Sequence, residues 1–243
     1  MKGKGRKMKR NTILLFGCLL GFLNYSLGFA ATITGTVKYE GDVPKFKEIK
    51  MEADPICLTH HTTAVYPQKL VLGEGNTVGN VFVHVISGYE KKQYPAPAEP
   101  LILNQLGCMY DPHVAAAMVG QTVKFLNPDG TLHNVHALSK VNQEFNLAMP
   151  KFKTETTKIF DKPEGMFTIK CDVHPWMEGW LTIVDNPFFN VTKADGKFTI
   201  ANLPAGTYDV EAWHEKMGTQ KQSVTVAEGD SKEINFTFSK PSK

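Results

Sequence analysis

The sequence predicts an all-β protein in which a central β-sandwich is flanked by smaller β modules. Glycine (20 residues) and proline (14 residues) interrupt the 243-residue chain often, which favours short strands and turns over long helices. Several segments alternate apolar and polar residues with a period of two, as strands with one buried face do. The region from Leu101 to Val184 has no window with sustained helical periodicity.

Residues 1–30 have the pattern of a secretory signal. MKGKGRKMKR is basic, TILLFGCLLGFL is apolar, and Gly28 and Ala30 are small residues before a cleavage site. Cleavage after Ala30 predicts an exported protein that is periplasmic, extracellular or at the cell surface. A membrane association is expected only if the signal stays uncleaved, since residues 11–31 carry no charge and are nearly long enough to span a bilayer.

Removal of the signal changes the charge of the chain. Lysine plus arginine falls from 27 to 21 against 24 acidic residues, so the net charge changes from +3 to −3. Both arginines, Arg6 and Arg10, are lost with it. We therefore expect no nucleic-acid partner, because phosphate contacts depend on clustered lysine and arginine.

The rest of the chain divides into three predicted modules. Residues 31–97 contain the strand candidates TITGTVKYE and NVFVHVISG and lead into the proline-rich YPAPAEP, which cannot join a central sheet. Residues 98–185 contain closely spaced strands and are the central sandwich. Residues 186–243 contain four strand candidates around Asp-Gly, Pro-Ala-Gly and Glu-Gly-Asp turns, which indicates a small sandwich.

The segment CDVHPWMEGW contains three kinds of copper donor. Cys171, His174 and Met177 follow a C-x-x-H-x-x-M spacing. Thiolate suits Cu(I), imidazole suits both oxidation states of copper, and a weak axial thioether tunes the reduction potential. A second imidazole has to come from LHNVH, which offers His133 and His136. Residues three apart in a strand point to opposite faces, so only one of the two faces the site, and the spacing does not choose between them.

LHNVH followed by CDVHPWMEG resembles the cupredoxins of the amicyanin and plastocyanin type, which are Greek-key β-sandwich proteins with one type 1 blue copper. The resemblance covers about Leu101 to Val184. It implies copper as the cofactor, and the copper ligands it implies are His133, Cys171, His174 and Met177. It also implies that Asn134 ties the ligand loops together near the sulfur. Separately, ADGKFTIANLPAGTYDVEAWHE resembles the carboxypeptidase regulatory-like domains, which are transthyretin-like sandwiches and non-catalytic appendages.

Three cysteines remain once Cys18 is removed with the signal. Exported proteins tend to pair their cysteines, so we expect a disulfide between Cys57 and Cys108 and a free thiolate at Cys171. The alternative is a second metal site, which would combine Cys57 and Cys108 with nearby histidines: His60, His61 and His113. The two interpretations exclude each other, because a disulfide sulfur is a poor ligand.

Two interpretations of Trp176 are open. It caps the ligand loop against the sandwich, or it forms, with Pro175, an exposed apolar patch where a redox partner docks. The imidazole edge of His174 is expected near the surface as the port for electrons. His136 is expected to be a structural or surface histidine.

These observations predict an exported type 1 copper protein that transfers one electron between redox partners, such as a c-type cytochrome or a periplasmic oxidoreductase. The alternatives are a copper storage or delivery protein and a structural surface protein with a cupredoxin domain. No enzymatic activity is expected, because a complete His₂CysMet ligand set leaves no open coordination position on the metal.

Overall fold

The computed structural model describes residues 30–239, together with Gly3, and is nearly all β, which confirms the predicted fold class. The predicted signal, residues 1–30, lies outside the described residues except for Gly3 and Ala30. No helix among the described residues is long and apolar enough to span a membrane. The helices are α1 (Pro55–Thr59) and a 3-10 turn (Glu74–Asn76). The strands are β1 (Ala31–Glu40), β2 (Val71–Leu72), β3 (Val78–Gly79), β4 (Phe82–Ser87), β5 (Leu101–Gln105), β6 (Tyr110–Asp111), β7 (Val114–Met118), β8 (Thr122–Leu126), β9 (His133–Ala137), β10 (Phe145–Met149), β11 (Glu155–Ile159), β12 (Glu164–Lys170), β13 (Glu178–Val184), β14 (Phe189–Val191), β15 (Lys197–Leu203), β16 (Gly206–His214), β17 (Gly218–Val226), β18 (Ser231–Glu233) and β19 (Phe236–Ser239).

The central sandwich consists of two sheets with strand orders β10-β9-β12-β13-β7 and β11-β8-β5-β6. In β8 the fully buried Val123 and Phe125 alternate with half-buried residues, as the period-two pattern predicts. Every residue of β7 is buried, in contrast. The reason is that Ala115 and Ala117 face the core of this sandwich, whereas the opposite face of β7 packs in a second apolar cluster.

The outer sandwich consists of β15-β1-β18, with β19 also paired to β1, and the sheet β14-β4-β16-β17. Strands β1 and β4 come from residues 31–97, yet they pair with strands of the C-terminal region. The predicted division into separate modules at 31–97 and 186–243 therefore differs from the strand pairing. The physical reason is that a few isolated strands cannot bury an apolar face, and Ile33, Val37 and Tyr39 of β1 are buried among the C-terminal strands.

The segment between β1 and β2 reaches the central sandwich. Its residues 51–61, which we call the cap, include α1 and bring the buried Met51 and Cys57 into the core of that sandwich. Asp54 is the N-cap residue of α1, and its side chain accepts a hydrogen bond from the N–H of Ile56. The cap is thus a covering element for one end of the central sandwich.

The two sandwiches meet along an apolar contact with one buried polar pair. Val114 and Met118 of β7 belong to a cluster that includes Phe82 of the outer sandwich. The rings of Trp180 and Trp213 meet edge to face, with centroids 5.4 Å apart. Nε2 of His113 lies 2.6 Å from Oε1 of Glu215, and both side chains are almost completely buried.

Candidate metal centre

Four potential metal donors meet inside the central sandwich at one end of its five-stranded sheet. His133 begins β9, and Cys171 follows β12, the neighbour of β9 in that sheet. His174 and Met177 lie in the loop from β12 to β13. All four residues are at most 2% exposed. The structure therefore brings His133, Cys171 and His174 together, and it places Met177 buried in the same loop and core cluster as Cys171.

The nitrogen and sulfur atoms of three of these residues converge. Nδ1 of His133 lies 3.0 Å from Nδ1 of His174, and the sulfur of Cys171 lies 3.7 Å from the same Nδ1 of His174. These three donor atoms all lie within 4.8 Å of one another. Two backbone hydrogen bonds close the loop. The N–H of Cys171 donates to the carbonyl of Met177, and the N–H of Met177 donates to the carbonyl of His174.

Two carboxylates orient the imidazole rings. Nε2 of His133 lies 3.0 Å from Oδ2 of Asp129, and Nε2 of His174 lies 3.0 Å from Oδ2 of Asp54. A carboxylate accepts a hydrogen bond, so each Nε2 donates its proton to the carboxylate, and each Nδ1 faces the interior of the site. Carboxylate–histidine pairs of this kind fix the ring orientation of metal ligands and raise their basicity.

This donor set fits a copper ion. The two Nδ1 atoms lie 3.0 Å apart, close enough to share one proton or to bind one metal ion. Two nitrogens bound about 2.0 Å from one ion, at an angle of about 100°, lie roughly 3 Å apart. A thiolate with two imidazoles, and a buried thioether in the same loop, is the combination that copper electron-transfer sites use.

Burial and hydrogen bonds shift the pKa values of the three donors, and two of the three shifts favour metal binding. Burial raises the pKa of the Cys171 thiol, but hydrogen bonds with His133 and with the backbone N–H groups of Asn134 and His174 outweigh burial and leave that pKa below its ordinary value. Burial lowers the pKa of His174, and its carboxylate partner offsets this only partly. Burial also lowers the pKa of His133, but hydrogen bonds to Asp129 and Cys171 leave it above its ordinary value. The pKa shifts of Cys171 and His174 favour the forms that bind metal.

Asn134 ties the two ligand-bearing strands together. The N–H of Asp172 donates to Oδ1 of Asn134 over 2.6 Å. The hydroxyl of Tyr110 bridges the same strands, because it donates to the carbonyls of Asn134 and Lys170 at 2.9 and 3.2 Å. This contact lies beside Cys171 and agrees with the role that the resemblance implies for Asn134.

The cap covers the ring of His174. Cys57 and Cys108 form a disulfide, and the sulfur of Cys57 lies 3.6 Å from Nε2 of His174. The expectation of an exposed His174 edge is therefore wrong: the residue is 2% exposed, because Asp54 and the disulfide lie against its outer edge. Cys171 is the free cysteine among the described residues.

Trp176 also closes this end of the sandwich. Its indole N–H donates to the carbonyl of Cys108 over 3.1 Å, and its ring lies 5.1 Å from that of His174. The side chain is half-buried and packs against the core, which favours the interpretation as a loop cap. Pro175 beside it is exposed.

The other candidate histidines lie outside the donor groups. His61 donates from Nε2 to the carbonyl of Gly107 over 2.7 Å, and Nε2 of His60 lies 3.6 Å from a carboxylate oxygen of Asp129. His113 is at the contact between the sandwiches. None of these three joins a cluster of potential metal ligands among the described residues. His136 is half-exposed and contacts Asp172 at 2.9 Å.

Sequence reasoning missed both orienting carboxylates. Asp129 lies four residues before His133, and an acidic residue so close to a candidate ligand is a signal that could have found it. Asp129 also accepts hydrogen bonds from the N–H groups of Gly107 and Cys108, and this holds Cys108 at its positive φ of 55°. Asp54 precedes His174 by 120 residues, so no local pattern points to it.

One family model matches part of the chain. Residues 188–239 match the carboxypeptidase regulatory-like domain, which confirms the resemblance of the C-terminal segment to that family. These residues contain β14 to β19. The rest of the outer sandwich, β1 and β4, comes from outside the matched range. No curated protein sequence matches the chain.

Solved structures similar to this chain include copper proteins. The Cu-containing nitrite reductase from Thermus scotoductus SA-01 is 21% identical, with a TM-score of 0.33, and the match covers 41% of this chain and 26% of the reductase. The Cu(I) form of an amicyanin mutant is 21% identical, with a TM-score of 0.32, over 42% of this chain and 98% of amicyanin. A purple cupredoxin from Nitrosopumilus maritimus is 20% identical, with a TM-score of 0.28, over 35% and 99% of the two chains.

Proposed function

We propose that this protein is an exported type 1 copper protein that transfers single electrons between redox proteins. Its ligands are His133, Cys171, His174 and Met177. The observation that supports this most is the convergence of the two Nδ1 atoms and the thiol within 4.8 Å in a buried pocket. The signal-like residues 1–30 and the Cys57–Cys108 disulfide support export, because disulfides persist in oxidising compartments.

The protein's own residues keep the ligand side chains in fixed positions. Bound copper would supply a one-electron couple between its two oxidation states. Asp129 and Asp54 fix the two rings, and Asn134 fixes the strands beside the thiol. The donors are buried, so they exchange no water when the charge of the site changes. A site held in this way reorganises little, which suits fast electron transfer.

We propose no catalytic activity. The buried side chain of Met177 lies in the same core cluster as Cys171 and would hold a bound copper as its fourth donor, which would leave no position for a substrate. The cap and Trp176 cover the ring of His174. A small molecule therefore has no direct route to a metal in this site.

Partner docking is proposed at the end of the sandwich that the cap covers. Four exposed apolar side chains stand next to site residues in the chain: Leu58, Leu106, Leu132 and Val173 are 44–50% exposed. Leu132 precedes His133, and Val173 precedes His174. Exposed apolar side chains near the site suit a transient redox partner, because they release water on contact and a small interface separates easily.

The visible spectrum after addition of Cu(II) tests this function. We expect an intense thiolate-to-copper band with one copper per chain and reversible reduction. Cys171→Ser should abolish the band while the chain stays folded. Met177→Leu should keep the band and shift the reduction potential. A folded protein with a reduced Cys171 and no such band would contradict the proposal.

A matched pair of histidine variants checks the ligand choice. His133→Ala should destroy the band, whereas His136→Ala should leave it, because the ring of His136 is engaged by Asp172 at the surface. The opposite outcome would show that the other histidine of the HNVH segment is the ligand. Rapid electron exchange with a c-type cytochrome then separates electron transfer from copper storage.

A further inference from the structure

A second group of soft donors lies on the outer side of the His174 ring. The sulfurs of Cys57 and Cys108 and Nε2 of His174 all lie within 4.8 Å of one another. Cys57 and Cys108 are completely buried, and His174 is 2% exposed. The ring therefore presents Nδ1 to the thiol of Cys171 and Nε2 to the two cap sulfurs, so the donor groups share one imidazole.

The two sulfurs are held near each other by more than their own bond. On one side, Oδ2 of Asp54 accepts hydrogen bonds from Thr131 at 2.8 Å and from His174 at 3.0 Å, and this anchors the helix that contains Cys57. This polar anchor does not involve either sulfur. Cleavage of the disulfide therefore leaves the cap attached to the sandwich.

The loop that contains Cys108 has its own anchors. The carboxylate of Asp129 accepts the N–H groups of Gly107 and Cys108 at 2.8 and 2.7 Å. The carbonyls of the same two residues accept hydrogen bonds from His61 and Trp176. The backbone around Cys108 is thus fully engaged without the disulfide, and its sulfur stays directed at His174 after reduction.

We propose that reduction of the Cys57–Cys108 disulfide creates a second metal site, which binds a soft monovalent ion of the Cu(I) class through both thiolates and Nε2 of His174. A dithiol or phosphine reductant supplies the two electrons, the S–S bond breaks, and two S–H groups form. Binding of the ion then releases the two thiol protons to the solvent. The Nε2 proton of His174 leaves its contact with Asp54; it moves to Nδ1 while the Cys171 site is empty, and it goes to the solvent when that site is also filled. Two thiolates with one imidazole suit Cu(I), because soft sulfur ligands select that ion.

This second site does not depend on the electron-transfer function proposed above. It uses residues of the cap, and it exists only in the reduced protein. Its role is to receive or release copper beside the Cys171 site, with His174 as the residue common to both. The disulfide state thereby sets whether the chain holds one soft-metal site or two.

Cu(I) titration of the full chain in the Cys171→Ser background isolates the second site. The protein is reduced with tris(2-carboxyethyl)phosphine and titrated against bicinchoninate as a competing chelator. We expect one Cu(I) per reduced chain that withstands the chelator, and none in the same variant with its disulfide intact. Cys57→Ser and Cys108→Ser added to this background should remove the ion. Equal Cu(I) uptake by the oxidised and reduced forms would overturn the proposal.

The assignment of His174 has its own test. His174→Ala in the reduced Cys171→Ser background should weaken Cu(I) binding at least 10-fold, whereas His60→Ala should leave it unchanged. Unchanged affinity in the His174→Ala protein would overturn the shared-imidazole arrangement. Near-ultraviolet circular dichroism before and after reduction verifies that each protein stays folded.

Thiol labelling of the wild-type chain gives a result that needs no variant. With Cu(I) in twofold excess, the reduced protein should have Cys57, Cys108 and Cys171 all protected from alkylation. In the oxidised protein the disulfide leaves Cys57 and Cys108 without a thiol to alkylate, so only the labelling of Cys171 should respond to Cu(I). Labelling of Cys57 and Cys108 in the reduced protein at equal rates with and without Cu(I) would contradict the proposed second site. Loss of protection at Cys171 alone would instead sink the proposed electron-transfer centre.

Discussion

Nε2 of His174 lies 3.0 Å from Oδ2 of Asp54, although 120 residues separate them in the chain. This contact joins the cap to the ligand loop and leaves Nδ1 of the ring directed at Cys171. Because it fixes the ring and covers its outer edge, Asp54 is proposed to act on the metal site without being a ligand. This relationship leads to the first prediction.

Asp54→Asn should lower copper affinity about 10- to 100-fold, since the loss of an outer carboxylate partner typically has that effect on a ligating histidine. The weaker amide acceptor reduces the basicity of the ring, so the reduction potential should change as well. Chelator competition and voltammetry measure the two effects. Glu52→Gln, an exposed neighbour in the cap, is the control. Equal affinities in the two variants would contradict the role of Asp54.

Asn134→Ala should shift the reduction potential and lower copper affinity without loss of the visible band. The variant leaves the N–H of Asp172 without its acceptor at 2.6 Å and frees the backbone beside Cys171. The removal of a buried hydrogen-bond partner costs roughly 1–3 kcal/mol. Chemical denaturation of the metal-free protein separates that cost from the effect on copper. An unchanged potential would show that Asn134 has no influence on the thiolate.

Glu164 should make the protein less stable in acid. Burial raises the pKa of Glu164, but Ser139, Asn142 and the N–H of Lys140 donate hydrogen bonds that outweigh it and lower the pKa from 4.5 to about 2. A lowered folded-state pKa stabilises the protein above pH 4.5, and this stabilisation is lost as the pH falls towards 2. A shift of this size corresponds to about 3 kcal/mol.

Unfolding free energies between pH 7 and pH 2 measure this effect. Glu164→Gln should have a flatter pH dependence than the wild-type chain in the acid range. Glu155→Gln, at an exposed position on β11, should behave like the wild type. Parallel curves for all three proteins would rule out Glu164 as a source of the acid sensitivity.

Glu215→Ala should destabilise the contact between the sandwiches by about 3 kcal/mol, because it leaves His113 buried without its partner. The double variant with His113→Ala should lose less unfolding free energy than the sum of the losses in the two single variants. Lys197→Ala, at an exposed position on β15, is the control. Additive losses in denaturant unfolding would mean that the two residues do not interact.

The sequence allowed the strands and the ligand loop to be predicted because both depend on local patterns. Alternating burial in β8 follows from its period-two sequence, and the C-x-x-H-x-x-M spacing lies within one turn between β12 and β13. The site residues could be anticipated for the same reason: three of the four donors lie within seven residues of one another. The fourth, His133, needed the resemblance.

Long-range pairings could not be predicted in this way. The partners of β1 lie about 160 to 200 residues further along the chain, and the alternating pattern of a strand does not specify which sheet it joins. The same is true of Asp54, whose carboxylate has a local role as a helix N-cap and a distant role at His174. The contact with Asp54 covers the outer edge of His174. The prediction that this edge lies near the surface was therefore wrong.

The parallel pairing of β1 with β19, in which Val37 lies opposite Phe236, has a consequence for the order of folding. The central sandwich is inserted between β4 and β14, and all its strands have been synthesised before the last strands of the outer sandwich emerge. The central sandwich can therefore form its core first, whereas the outer sandwich can be completed only after the C-terminal strands have been synthesised. Truncation at the C-terminus would leave β1 as an unpaired edge, and such an edge invites aggregation.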